Sequence, residues 1–213
     1  NYSDPLFLHF RIMTSQIQTI NLISEYLTDI LGSNLLGASY GQNNYGISFN
    51  DKSILEFCGK CIIMVNNNSI NSNIIMGSQL WPLTNIFTGS DNFQLKRYST
   101  ISNMNDTDIN DLTQYNKYNA TMVLPDTGVE TVNFDSRICL RTGCQFIAMN
   151  FQTFDKYLET YFSVFDEVGF SFILKPCSLR WIPVHYFIDP TDIVMGAGCP
   201  TKVTSYGNTM SEN

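Results

Sequence analysis

Cys58-Gly59-Lys60-Cys61 is the tightest grouping of reactive side chains in the chain. Two thiols at this spacing suit zinc coordination or thiol exchange, because the turn between them brings both sulfurs to one point. A tetrahedral site needs a second pair of ligands, and none stands at matching spacing. Cys139 and Cys144 are separated by four residues, while His9 and His185 lie far off in sequence. The expectation is therefore small buried thiols in a reducing environment and no metal centre. Asn67-Asn68-Ser69, Asn105-Asp106-Thr107 and Asn119-Ala120-Thr121 are formal glycosylation triplets, but roughly one residue in ten is asparagine and chance accounts for them.

A chain of 213 residues is one or at most two domains, long enough to bury a real core. The hydrophobic fraction of 44% and charged fraction of 15% are those of an ordinary globular protein. A net charge of −7 argues against nucleic acid and against nonspecific attraction to an anionic membrane surface. No apolar run reaches the roughly 18 residues of a membrane helix. No signal peptide is recognisable, and the expected location is intracellular, either cytoplasmic or within a larger assembly such as a virion. The chain starts at Asn1 rather than Met, so a processing site or boundary, with further sequence upstream, is expected. Richness in Asn and Ile is what an AT-rich genome produces.

These side chains must be positioned by alternating strands and helices. Leu6–Phe10, Cys61–Val65, Ala120–Leu124, Phe146–Met149 and Phe170–Leu174 are short apolar runs that predict buried strands, with Pro125 and Pro176 closing two of them. Ile20, Ile23, Leu27, Ile30 and Leu31 recur at helical spacing after a cap at Thr14 or Ser15, with Gly32 or Gly37 as the stop. A short helix is expected over Asp106–Gln114. A longer one is expected over Phe154–Val168, with an apolar face of Tyr157, Leu158, Tyr161, Phe162 and Phe165. Asn66–Asn73 reads as a loop, Phe93–Tyr98 as an extended segment, and the rest of 74–105 has no assignment. The tail from Thr191, with Gly196, Gly198 and Gly207, reads as a loose extension. Such alternation predicts an α/β fold with a parallel sheet covered by helices.

Two blocks carry a resemblance. Gly143-Cys-Gln-Phe-Ile-Ala-Met-Asn-Phe-Gln-Thr153 and Gly169-Phe-Ser-Phe-Ile-Leu-Lys-Pro-Cys-Ser-Leu-Arg180 resemble the end of the catalytic barrel of eukaryotic phosphoinositide-specific phospholipase C. That family reads G-C-Q-x-V-A-L-N-F-Q-T, then a helix, then G-Y-V-L-K-P-x-x-L-R. Weaker matches precede them in the right order. Asp4–Arg11 followed by Ile30–Leu36 resembles the late X region, Gly59–Asn66 resembles G-K-I-L-L-K-x-K, and Tyr115–Pro125 resembles Y-N-x-x-x-L-S-R-x-Y-P. The resemblance implies the C-terminal part, about strands four to eight, of a TIM-type (β/α)8 barrel. On that reading residues 1–190 are a partial barrel, with the X-region end at 1–70, a divergent linker at 71–110 and the Y region at 111–190. Residues 191–213 follow as an extension.

The departures from the family pattern bear on function. The calcium-binding glutamate of the family falls on Arg11, and a guanidinium cannot ligate a hard cation that needs oxygen donors. The two phosphate-binding lysines fall on Met64 and Asn66. The arginine that holds phosphate and the tyrosine that stacks on the inositol ring fall on Met122 and Leu124. A substrate-contacting serine aligns loosely with Ser99 or Ser102, and the R-x-D-S-S-N-Y segment is not recognisable between Gly128 and Thr142. The catalytic histidines of the family lie upstream of this chain, and His9 matches neither, so no catalytic residue and no cofactor are expected here. Phe146, Ala148, Phe151, Leu174 and Pro176 read as barrel packing. Lys175 is expected at the C-terminal end of a barrel strand, the face that carries active sites. The implied function is a phospholipase C-like scaffold without catalysis, completed by its own upstream half or by a protein partner. The alternatives are an active phosphatidylinositol phosphodiesterase with Arg11 in place of calcium, and a lipid-binding module with Met64, Met122 and Leu124 lining an apolar pocket.

Overall fold

Among the described residues, six short strands form two parallel sheets: β1 (Leu6–Phe10), β2 (Cys61–Asn66) and β3 (Ile86–Thr88) make one, and β4 (Phe93–Arg97), β5 (Ala120–Leu124) and β6 (Phe146–Ile147) make the other. The computed structural model describes residues 4–41, 52–67, 72–128 and 131–182. Register is continuous along both ladders: His9 faces Met64, Met64 faces Ile86, Leu95 faces Met122 and Met122 faces Phe146. Parallel strands covered on both faces read as unbroken apolar runs, and Cys61–Val65 is buried at every position.

Six helices occupy the described connections: α1 (Ile17–Leu31), α2 (Ser72–Met76), α3 (Tyr98–Ser102), α4 (Asp106–Tyr118), α5 (Arg137–Arg141) and α6 (Lys156–Val168). They pack on the outer faces. Ile63, Val65 and Phe87 meet Ile20 and Leu27 of α1, and Val123 meets Ile101, Leu112 and Leu158. The inward residues of both sheets meet in a third cluster of Phe57, Ile62, Met64, Ile86, Phe93 and Met122, with Phe7 and Phe146 against it. Ring centroids of Phe7 and Phe146 lie 5.1 Å apart, edge to face, so the first strand of one sheet touches the last strand of the other.

The helix ends differ in part from expectation. α1 starts after Gln16 with no side-chain cap; Thr14 Oγ1 instead accepts from the Gln16 N–H in the preceding turn, and Gly32 ends the helix at φ +49. α4 runs on to Tyr118, with Asn105 as its N-cap. α6 starts two residues later than Phe154 because Asp155 caps it, accepting from the Tyr157 and Leu158 N–H groups.

One expected element is absent. Residues 170–174 are not a strand: Phe170 and Leu174 are exposed, and Phe172 leans on Phe7 with centroids 5.9 Å apart. A parallel strand has no hydrogen bonds of its own and forms only against a neighbour, so apolar composition alone does not make one. Between 72 and 105 the chain forms α2, β3, β4 and α3; the expected extended segment Phe93–Tyr98 supplies β4, and the other three have no counterpart among the sequence-based expectations. The tail from 191, with Cys199, and His185 lie outside the described residues.

Candidate functional site

The strand ends of the first sheet hold a polar layer above Met64. Thr88 Oγ1 donates to the Val65 carbonyl at 3.3 Å, so the His9 Nε2–H donates to Thr88 Oγ1 at 3.0 Å. Burial lowers the His9 pKa, keeping the ring neutral. This half-buried histidine is tied into the fold through Thr88. Arg11 is exposed just beyond β1, and Asn66 is half-buried at the end of β2, facing Thr88 in register.

At the strand ends of the second sheet, Arg97 Nη1 donates to the Pro125 carbonyl at 2.6 Å. The Ser99 N–H and hydroxyl both donate to the Asp126 carboxylate, the hydroxyl at 2.6 Å. This guanidinium and this serine therefore tie β4 to the chain leaving β5. Leu124 faces Arg97 across the ladder and is half-buried.

Of the five positions to which the resemblance gives substrate or metal contacts, the structure brings Met64, Met122 and Leu124 together in the inner core and leaves Arg11 and Asn66 at the rim. Met64 is 0% exposed and Met122 7%, in contact with the cluster that contains Phe57, Phe93 and Phe146. They fill the interior, so the apolar pocket expected around these three residues is packed core. Cys58 is exposed and Cys61 is buried in β2, while Cys139 and Cys144 are buried. Burial pushes the Cys139 thiol up to about 12, where it is neither nucleophile nor ligand.

Lys175 is at the opposite end from its expected place. Its Nζ donates to the Asn116 carbonyl at 2.8 Å, in the last turn of α4 and below the start of β5. It closes a helix C-terminus, where a cation satisfies carbonyls that lack intrahelical partners. Gln145 does the same work: Nε2 donates to the Asn116 and Asn119 carbonyls at 3.0 and 2.8 Å, and Oε1 accepts from the Thr121 N–H at 2.8 Å. Asn116 is 1% exposed; its Nδ2 donates to the Thr142 carbonyl at 2.8 Å and its Oδ1 accepts from the Thr121 hydroxyl at 2.6 Å. Together Asn116, Thr121, Gln145 and Lys175 lock α4, β5, β6 and the C-terminal segment to one another. The Gln and Lys of the two resemblance blocks are therefore parts of the fold.

Burial lowers the Lys175 pKa from 10.5 to about 8. The folded amine releases its proton near pH 8, while the unfolded one holds it to about 10.5. Between these values the unfolded chain binds more protons, so this group makes stability rise with pH there. Cys139 acts in the opposite sense above the ordinary thiol range, so a comparison with Lys175→Met isolates the lysine. The expected result is that urea midpoints of the wild type and Lys175→Met, measured from pH 7 to 10, shift relative to one another in favour of the wild type as pH rises. Parallel profiles would show that Lys175 is exposed and ordinary.

A second lock lies after β6. Asn133 Nδ2 donates to the Asn150 and Thr153 carbonyls at 3.2 and 2.8 Å, and Oδ1 accepts from the Asn150 N–H at 2.6 Å. The Asn133 N–H donates to Asp155, and hydrogen bonds from Leu158, Asn133 and Tyr157 hold that carboxyl below its usual pKa. Sequence reasoning missed Asn116 and Asn133. A buried polar residue within a helix or a loop leaves no periodic signal.

The family described as "Phosphatidylinositol-specific phospholipase C, Y domain" matches residues 83–178. That range runs through 128–142, where no motif was legible in the sequence. A 97-residue stretch is 35% identical to the 1-phosphatidylinositol 4,5-bisphosphate phosphodiesterase beta egl-8 of Caenorhabditis elegans, covering 43% of this chain and 7% of the relative. The crystal structure of S. officinalis PLC21 superimposes with a TM-score of 0.63 at 19% identity, over 87% of this chain and 28% of that one. L. pealei PLC21 gives 0.65 at 18% identity, over 84% and 27%. The chain thus shares the fold of these structures while spanning a small part of each relative. Sequence and fold agree: residues 83–178 match the Y domain of phosphatidylinositol-specific phospholipase C, and the chain shares the fold of the solved phospholipase C structures.

Proposed function

We propose that this chain is the later part, about strands four to eight, of a phospholipase C-like TIM-type barrel that does not turn over lipid and acts as a protein-interaction scaffold. The observation that carries the reading is the burial of Met64 and Met122 in the filled interior, at the two places where the resemblance calls for a lysine and an arginine on phosphate. A phosphorylated headgroup needs cations that face solvent. Arg97, which faces Leu124 across the ladder, donates to the Pro125 carbonyl instead. Arg11 at the glutamate position offers calcium no oxygen donor there.

The test uses the protein expressed from its full reading frame, with vesicles containing phosphatidylinositol or phosphatidylinositol 4,5-bisphosphate, in calcium and in chelator. The expected result is no water-soluble inositol phosphate above the blank in either condition. Calcium-dependent release overturns the reading. Release that ignores calcium also overturns it, in favour of Arg11 serving where the metal stands in the family.

A further inference from the structure

The end of α5 brings two thiols together. Gly143 follows the helix at φ +72, its N–H donates to the Leu140 carbonyl at 3.1 Å, and the Cys144 N–H donates to the Cys139 carbonyl at 3.0 Å. These two bonds define the Schellman ending. A left-handed glycine turns the chain back over the last helical turn, and the side chains at the ends of the longer bond commonly meet. Here both of those positions are cysteine. The motif places their Cα atoms about one helical turn apart, a span of the order a disulfide bridges, roughly 4.4–6.8 Å. Cys139 is 0% exposed and Cys144 6%, and both belong to the outer cluster with Leu112, Val123 and Leu158. Cys58 and Cys61, the closer pair in sequence, are divided between solvent and the buried strand β2.

We propose that Cys139 and Cys144 are a redox pair, closing to a disulfide when the protein meets hydrogen peroxide and reopening under a dithiol reductant. The order of events follows from the surroundings of the two sulfurs. Asn116 Nδ2 donates to Cys144 Sγ at 3.6 Å, and Thr142 Oγ1 lies 3.4 Å from the same atom. Burial raises the Cys144 pKa, while these hydrogen bonds and the positive charge of Lys175 oppose the rise. At Cys139 burial and the neighbouring Cys144 charge act in the same direction. Cys144 is therefore the sulfur that attacks the peroxide. It takes up one oxygen as a sulfenic acid and releases one water. The Cys139 sulfur then bonds to Cys144, and its proton leaves with the displaced hydroxyl as a second water, so no free Cys139 thiolate has to accumulate. In sum two thiols lose two electrons and one hydrogen peroxide becomes two waters. Reopening returns two electrons and two protons from the dithiol. The bond forms beside Asn116, which ties α4 to Thr142 and Thr121, and it fixes α5 to the chain entering β6. Nothing in this pair depends on whether the barrel turns over lipid.

The test treats the native protein with hydrogen peroxide, alkylates the remaining thiols and maps tryptic peptides by mass spectrometry. Trypsin cuts after Arg137, Arg141 and Lys156 and so separates the two cysteines. The expected product is peptide 138–141 joined to peptide 142–156, lighter than their sum by two hydrogens, and dithiothreitol should release both. The linked protein should keep the circular dichroism of the reduced one. It should also unfold at a higher urea concentration, since a bond between residues already in place constrains only the unfolded chain. Recovery of either cysteine mainly as an alkylated thiol, as a sulfinic acid, or linked to Cys58, Cys61, Cys177 or Cys199 overturns the proposal. A link that lowers the urea midpoint overturns it too. In Cys139→Ala the Cys144 sulfenic acid should persist and be trapped by dimedone, and in Cys144→Ala Cys139 should stay unmodified; the reverse pattern overturns the assigned order. The wild-type peptide map decides the pairing even where a variant fails to fold.

Discussion

Met64→Lys is expected to unfold the inner core rather than to restore a headgroup site. Met64 is 0% exposed and contacts the inward residues of both sheets. An ammonium there has no carboxylate beside it: its ladder neighbours are His9, whose neutral ring is held by Thr88, and Ile86. An unpaired buried charge costs several kcal/mol, about 3–5 when a partner is missing, which is a large share of the roughly 5–15 kcal/mol that holds a domain together. Met64→Leu conserves volume and should cost less than about 1.5 kcal/mol. Urea unfolding followed by circular dichroism separates the two. If Met64→Lys is as stable as the wild type and binds phosphatidylinositol 4,5-bisphosphate vesicles, position 64 faces a solvent-filled cavity and the scaffold reading fails at its main support.

The second large effect is at Asn116, far from the strand ends where family chemistry is expected. Asn116→Ala removes the acceptor of the Thr121 hydroxyl and the donor to the Thr142 carbonyl, both buried. Each buried polar group left without a partner costs about 1–3 kcal/mol, so a loss of about 2–4 kcal/mol is expected. Thr121→Val removes one of those groups itself and should cost less. The two changes should be non-additive, with a coupling of about 1 kcal/mol through the 2.6 Å bond between them. Additive losses would mean that Thr121 and Asn116 do not meet, and would remove the Asn116 lock. The change should leave the first sheet intact, since no described bond of Asn116 reaches it.

Much of the architecture is legible in local pattern. Leu6–Phe10, Cys61–Val65, Ala120–Leu124 and the start of Phe146–Met149 all form strands from short apolar runs; the second and third are buried through most of their length, as in a covered parallel sheet, and the first and last are only half-buried. The helical spacing of Ile20 to Leu31 and of Tyr157 to Phe165 likewise produced α1 and α6. Two blocks, 143–153 and 169–180, carried the family. That Met64, Asn66, Met122 and Leu124 stand where the resemblance implies cationic and aromatic residues is likewise read from the sequence alone.

What these replacements do was decided only by packing. The sequence allowed Met64, Met122 and Leu124 to line a lipid pocket; side chains from two sheets fill that space, because Phe7 and Phe146 meet across it. The same holds for Phe170–Leu174, apolar enough for a strand but lacking the neighbour on which parallel hydrogen bonds depend. Lys175 showed the limit most clearly. Its placement followed from a strand that did not form, and its amine found the Asn116 carbonyl at a helix end 59 residues away in sequence. Apart from the bond between Thr121 and Asn116, five residues apart, the side-chain bonds of Asn116, Gln145 and Asn133 cited above span 17 to 29 residues, which no local period encodes. Sequence determined the apolar periods and the breaks between them. The tertiary structure decided which polar groups are satisfied and by whom, because a buried hydrogen bond depends on where its partner arrives.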